Sequence, residues 1–220
     1  MNKQIFFLSG MFRCGTNLLR SIMNQNPNFY VSPNSFLPEI FHLLHRTKET
    51  NQYKDWKRLD IDINYKDNEL YYNDIIKNTF NSYYSSYKQK YIMDQARWGA
   101  PGNYRLLMYY EFLPKKFVML IRPFEDILKS WIRYYKVPQY RISKLCDDLM
   151  VEHGAIGQGM LALETLIQNQ KSSHLKIINY DNFCSNPKKE IKELYKFLDI
   201  PYYKNHKFTN FKQVDTKGIK

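Results

Sequence analysis

Two stretches of this sequence combine residue types and spacings suited to chemistry. The first is "SGMFRCGTN" (9–17), in which Gly10 and Gly15 frame a G-x-x-x-x-G turn. Glycines there let the backbone fold tightly and bring its N–H groups to an anion. Thr16 and Asn17 can donate side-chain hydrogen bonds, and Arg13 places a cationic fork inside the loop. The lysine that reaches β and γ phosphates in nucleoside-triphosphate sites is missing, and Asn17 displaces the Ser/Thr that would hold Mg²⁺. The loop therefore suits a single terminal phosphate, or a phosphate carrying a leaving group, with no metal. The second stretch is "LIRPFEDILKSWIRYY" (120–135), with Ser130 eight residues after Arg122. Arg122 falls at the end of an expected strand, where open α/β sheets bind their ligands.

The elements that must position these residues can be read from periodicity. Residues 4–9 and "KFVMLI" (116–121) are short apolar runs of the kind found in buried parallel strands, and "LKIINY" (175–180) is a third. These three are expected at the centre of the sheet, with "KYIMD" (90–94) beside them. The spacing of Leu18, Leu19, Ile22 and Met23 predicts a helix after the loop, ending before Pro27. Further helices are expected over 36–46, 70–88, 102–113, 122–136 and 154–170. The last is "SNPKKEIKELYKFLDIP", with Asn186 as cap and Pro187 at its first position. Residues 47–69 read as a polar, irregular connection, so 47–90 form an irregular and helical insertion or cap over the acceptor site. Alternating strands and helices predict one α/β domain over 1–220, a three-layer α/β/α fold with a central, mostly parallel sheet.

Composition narrows the partners. The chain is 44% hydrophobic and 16% aromatic, too apolar for a disordered protein. It has no apolar run long enough to span a bilayer, so no transmembrane anchor is expected. A secretory leader is not expected either, since Arg13 precedes any small-residue cleavage site. Three scattered cysteines suggest neither a disulfide framework nor a zinc site and fit a reducing, cytoplasmic setting. A formal charge of +12 suits an anionic partner or a lysine-rich solvated surface. The lysines are scattered and no aromatic-basic recognition motif is present, so no specific nucleic-acid partner is expected.

Taken together, the two stretches resemble the sulfotransferase family. That family opens with a strand and a loop of the type (P)-(K/R)-S-G-T-T/N-x-L, to which "MFRCGTNLL" (11–19) is similar, with Phe12 for the usual proline and Cys14 for the usual serine. Its second motif pairs an Arg at a strand end with a Ser eight residues later, as Arg122 and Ser130 are paired here. "INYDNFCSNPKKEIKELYKFLDI" is similar to a third family segment, in which Tyr180 would sit near adenine. The resemblance implies a P-loop nucleotide-hydrolase-like fold and a donor, 3′-phosphoadenosine 5′-phosphosulfate (PAPS), leaving adenosine 3′,5′-bisphosphate (PAP) as product. Gly10, Arg13, Cys14, Gly15, Thr16 and Asn17 would hold the 5′-phosphosulfate, and Arg122 and Ser130 the 3′-phosphate. Arg13 would also neutralise the bridging oxygen as sulfate leaves.

The resemblance also implies a base for a hydroxyl or amine acceptor. Glu39 is the first candidate and His42 the second, with His45 nearby; all three read equally as solvated helix positions. "MDQARWG" (93–99) is similar to a segment beside the acceptor, which makes Asp94 and Arg97 supporting candidates. Trp98 reads as a wall of that site or as core. Lys217 and Gly218 could belong to a segment closing over the 3′-phosphate. The acceptor itself, whether small molecule, glycan, lipid or protein tyrosine, cannot be read. The alternatives are a P-loop nucleotide kinase, against which the missing lysine counts, a basic nucleic-acid-binding module, and a degenerate relative that binds the cofactor without a base.

Overall fold

The computed structural model describes residues 3–49, 65–111 and 115–209. Strands β1 (Gln4–Gly10), β2 (Phe29–Val31), β3 (Tyr91–Gln95), β4 (Phe117–Ile121) and β5 (Leu175–Asn179) pair in parallel in the order β2-β3-β1-β4-β5. Helix α1 (Thr16–Met23) joins β1 to β2, while α2 (Leu37–Glu49) and α3 (Tyr65–Tyr83) lie between β2 and β3. Helix α4 (Pro101–Tyr109) leads into β4. After β4 come α5 (Phe124–Tyr135), α6 (Ile142–Met150) and α7 (Ala155–Asn169); α8 (Tyr180–Ser185) and α9 (Pro187–Leu198) follow β5.

Right-handed crossovers fix the layers. The chain leaves β1 toward β2 on one face and returns rightward through β3, β4 and β5 on the other. On the first face Phe6 stacks on Phe29 at 6.2 Å, and Tyr195 of α9 closes over Phe29 at 6.3 Å. On the opposite face Phe7 meets Phe117 at 5.1 Å, Trp98 at 5.3 Å and Phe80 at 5.9 Å. The result is the expected three-layer α/β/α arrangement with a parallel sheet. At the border between β1 and β4 the connections depart to opposite faces. That border is the switch point where the crevice beyond the strand ends opens.

Several elements differ from the sequence reading. The run 175–180 is not central: among the described residues β5 pairs with β4 alone, and its Ile177 is exposed. Lys176 interrupts its apolar character, as an edge tolerates and a centre does not. The three-residue β2 takes the other edge and was too short to show a period. Helix α6 was not anticipated, although Ile142, Leu145, Cys146 and Leu149 have helical spacing. The short α8 before the final helix was not anticipated; α9 itself begins as expected, with the Asn186 side chain accepting from the Lys189 N–H as its cap and Pro187 in its first turn. The stretch expected to be irregular is helical at both ends, α2 reaching Glu49 and α3 beginning at Tyr65. Residues 50–64 and the segment with Lys217 and Gly218 lie outside the described residues.

Phe7, fully buried at the centre of this packing, should be among the costliest positions to truncate. Phe7→Ala should lose about 3–5 kcal/mol in urea unfolding. Ile177→Ala, on the exposed edge, should lose less than about 1 kcal/mol.

Candidate active site

The loop after β1 is shaped by two left-handed residues, Arg13 (φ 60) and Gly15 (φ 95). Gly15 is required for a second reason: a Cβ there would lie 2.4 Å from the Tyr180 ring. Helix α1 begins with no side-chain cap, and its first closed bond runs from the Leu19 N–H to the Gly15 carbonyl at 3.1 Å. The N–H groups of Thr16, Asn17 and Leu18 are thus the open end of the helix, carrying its partial positive charge toward the crevice. Cys14 faces away from the crevice. Its side chain is fully buried and burial pushes its thiol up to about 12, so it stays neutral in the core and only its backbone can serve the loop.

Arg122 follows β4, one strand over, because Gly10 and Leu120 are register partners. Its Nη1 donates to the Arg13 carbonyl at 3.2 Å, and its guanidinium lies 4.3 Å from the centre of the Tyr180 ring. Its Nε is buried and has no hydrogen-bond partner among the described residues. Arg13 in turn donates from Nε to Ser130 Oγ at 3.1 Å and covers the Tyr134 ring at 4.5 Å. Arg13, Arg122, Ser130, Arg133 and Tyr134 line one cleft of about 370 Å³, with no carboxylate in its lining. Arg13 therefore shares the cleft of Arg122 and Ser130 instead of serving the loop alone. Arg133 and Tyr134 were not singled out from the sequence. Their signal was there, since i+3 and i+4 from Ser130 fall on the same helical face. Three guanidinium groups held together by neutral partners make a site for a multiply charged anion.

A second cavity, of about 740 Å³, adjoins the loop. Glu39, Arg97, Ser35, Asn103, Glu152 and Gln158 are among its polar lining. Arg97 connects it to the loop, its guanidinium lying over the Phe12 ring at 4.2 Å. Desolvation lowers the Arg97 pKa and the negative field of Glu39 opposes that, so Arg97 and Glu39 act on one another across the cavity mouth. His42 is elsewhere. Its Nε2 bonds Asn103 Oδ1 at 2.8 Å, Asn103 Nδ2 donates to the Arg97 carbonyl at 2.8 Å, and His42 is absent from the cavity lining. It braces Asn103, which lines the cavity. His45 bonds the Tyr110 hydroxyl.

Trp98 is core, at 0% exposure between Phe7 and Phe41, and does not wall the cavity. Asp94 is also at 0% exposure, behind the cavity, where Ser32 Oγ donates to it at 3.2 Å. Ser35, Trp98 and Tyr84 lie close enough to favour its ionised form, yet their polar atoms complete no hydrogen bond among the described residues. Burial dominates and pushes the carboxyl up to about 6 from its ordinary 3.8.

Comparison with known proteins follows this geometry. The family model described as Sulfotransferase family matches residues 5–204. No curated protein matches the chain in sequence. Among solved structures, a sulfotransferase from Alicyclobacillus acidocaldarius superposes with a TM-score of 0.59 at 14% identity, covering 100% of this chain and 87% of its own. The sulfotransferase domain of the Synechococcus PCC 7002 olefin synthase gives 0.58 at 15% identity, with 92% and 74% covered. A mouse sulfotransferase solved in complex with PAP gives 0.54 at 11% identity, with 92% and 61% covered. At these identities the likeness is one of fold. Among the described residues, no helix is long and apolar enough to cross a membrane.

Asp94 sets a pH dependence. Its folded pKa lies above the ordinary value, so the folded state holds the proton more tightly. The associated stability is fully present below about 3.8 and lost as pH rises through about 6. Asp94→Asn, which cannot ionise, should gain on the wild type by up to about 3 kcal/mol between about pH 4 and pH 7 in urea unfolding. A difference that stays constant over that range would show that ionised Asp94 is fully compensated.

Proposed function

Because the chain belongs to the sulfotransferase family, we propose that it transfers a sulfuryl group from PAPS to a hydroxyl or amine acceptor. The observation that supports this most is the carboxylate-free cleft of Arg13, Arg122, Ser130 and Arg133 beside the open end of α1. A triphosphate would need one row of phosphate contacts and a metal ligand. This site offers two separate anion positions about one loop: the helix end with its N–H groups, and the arginine cleft. PAPS carries its charge in that divided form, as a 5′-phosphosulfate and a 3′-phosphate. The donor set is cationic and neutral, which fits a sulfated nucleotide without a bridging metal. In the mouse relative PAP occupies the protein, consistent with the same donor here.

Each residue then has a role. Thr16, Asn17 and the loop N–H groups between Gly10 and Gly15 hold the 5′ end, with Cys14 contributing through its backbone. Arg122, Ser130 and Arg133 hold the 3′-phosphate from the lining of the cleft. Tyr180, packed against Gly15 and Arg122, stands beside the cleft, where the adenine would lie. In the overall transfer an acceptor oxygen bonds to sulfur and the bridging S–O bond breaks, its electron pair leaving on the phosphate of PAP. Arg13 spans both anion positions and stabilises the negative charge that grows there. Glu39, exposed on the cavity wall beside Arg97, takes the acceptor proton.

Two variants test this. Arg122→Ala should weaken PAP binding by about 1.5–3 kcal/mol while changing adenosine 5′-monophosphate binding little, because only PAP has the 3′-phosphate. Equal losses for both ligands would show that Arg122 acts through folding. Glu39→Gln should lower turnover and leave PAP binding intact, and a more acidic acceptor should restore part of the rate. A wild-type rate in Glu39→Gln would place the base elsewhere.

A further inference from the structure

We propose that the acceptor is a small hydroxylated compound carrying a protonated amine, such as an amino sugar or amino alcohol, and that Glu152 selects it. The inference rests on reading the 740 Å³ cavity as the acceptor site. That volume is in the range that encloses a small molecule.

The cavity runs against the charge of the chain. The protein has a formal charge of +12, yet two carboxylates, Glu39 and Glu152, face this space with one cation, Arg97. Arg97 is already committed: it rests on the Phe12 ring and in the field of Glu39. Glu39 also sits in the first turn of α2, where the helix end offsets its charge. The open end of α4 adds partial positive charge near Gly102 and Asn103, and such an effect fades within one turn. Glu152 is left without a counter-ion. It is exposed, it forms no ion pair among the described residues, and its loop is pinned by Gln158, whose Nε2 donates to the Glu152 carbonyl at 3.0 Å. A carboxylate with no paired cation, on a backbone held in place, opposes an anionic acceptor and favours an ammonium.

A second observation points to a polar occupant. Ser35 lines the same cavity at 7% exposure, with its hydroxyl turned to the buried Asp94 carboxyl. Asn34 and Gln158 add amide groups on the wall, while Phe36 and Pro38 give it an apolar side. This mixture suits a hydroxylated ring. The charge also decides which atom receives sulfate. An amine paired with Glu152 keeps its proton and has no free electron pair, so the nucleophile is a hydroxyl. Its oxygen bonds to sulfur, its proton passes to Glu39, and the product keeps a free amine.

The test uses labelled PAPS and a panel of amino sugars and amino alcohols, each beside its N-acetylated counterpart, with the matching uronic acids as anionic probes. The expected result is a kcat/KM at least about tenfold higher for one or more amines than for their N-acetyl forms, with sulfated products that still react as primary amines. Glu152→Gln should bring that ratio close to one by raising KM for the amine, and Glu152→Asp should restore part of it. The proposal is overturned if N-acetyl or anionic acceptors are used as well as the amines, if sulfate appears on nitrogen, or if Glu152→Gln lowers kcat for all acceptors alike. A thermal shift with PAP, run in parallel, separates the two levels of the account. Stabilisation by PAP without transfer to any amine rejects this acceptor class and leaves the donor reading standing. Absence of PAP stabilisation rejects the donor reading, and the acceptor class with it.

Discussion

The structure depends on keeping Arg13, Arg122 and Arg133 around one small cleft without a carboxylate to neutralise them. Like charges so close repel, and at low dielectric the repulsion would be severe. The protein lowers that cost with partners that leave the charge in place. Aromatic faces take two of the guanidiniums, Tyr134 under Arg13 and Tyr180 under Arg122, while a serine hydroxyl and a backbone carbonyl accept their N–H groups. Each of these contacts orients an arginine and none cancels it. The cleft thereby keeps its positive charge, and its remaining repulsion would be relieved by a bound anion.

The fold exists in the form needed to make this cleft. Arg13 and Arg122 are 109 residues apart, and Arg13 and Ser130 are 117 apart. Only the adjacency of β1 and β4, with their helices leaving to opposite faces, brings the three together. The strict demands fall on a few backbone positions. Gly15 must be left-handed and must lack a side chain, because Tyr180 occupies the space where a Cβ would be. The same loop joins the two cavities, since Phe12 carries Arg97 on its ring one residue before Arg13. The two cavities are thus coupled through two consecutive residues.

Much of this was legible in the sequence wherever the signal was local. Gly10 through Asn17 announce a tight anion-binding turn by residue type, and the apolar runs of β1 and β4 announce buried parallel strands. The pairing of Arg122 with Ser130 was readable because the two sit on one strand–helix unit. What stayed hidden depended on tertiary context. A three-residue β2 has no period to detect, and whether 175–180 lies at the centre or an edge is decided by neighbours far away in sequence. Cys14 looks like a loop residue that could face a ligand until the packing shows it turned into the core. His42 looks like a base until Asn103 claims its ring nitrogen. Glu152 carries no motif at all, and its place in the second cavity emerges only when α7 packs beside α4.

The most direct test of the central claim is calorimetric titration of the wild-type protein with PAP and with adenosine 5′-monophosphate, both in EDTA. The two ligands share the adenosine and the 5′-phosphate and differ in the 3′-phosphate, which the arginine cleft is held to bind. The account predicts that PAP binds without metal and at least about a hundredfold more tightly than the monophosphate, a gap of about 2.7 kcal/mol. Equal affinities, or PAP binding that appears only when Mg²⁺ is restored, would contradict it.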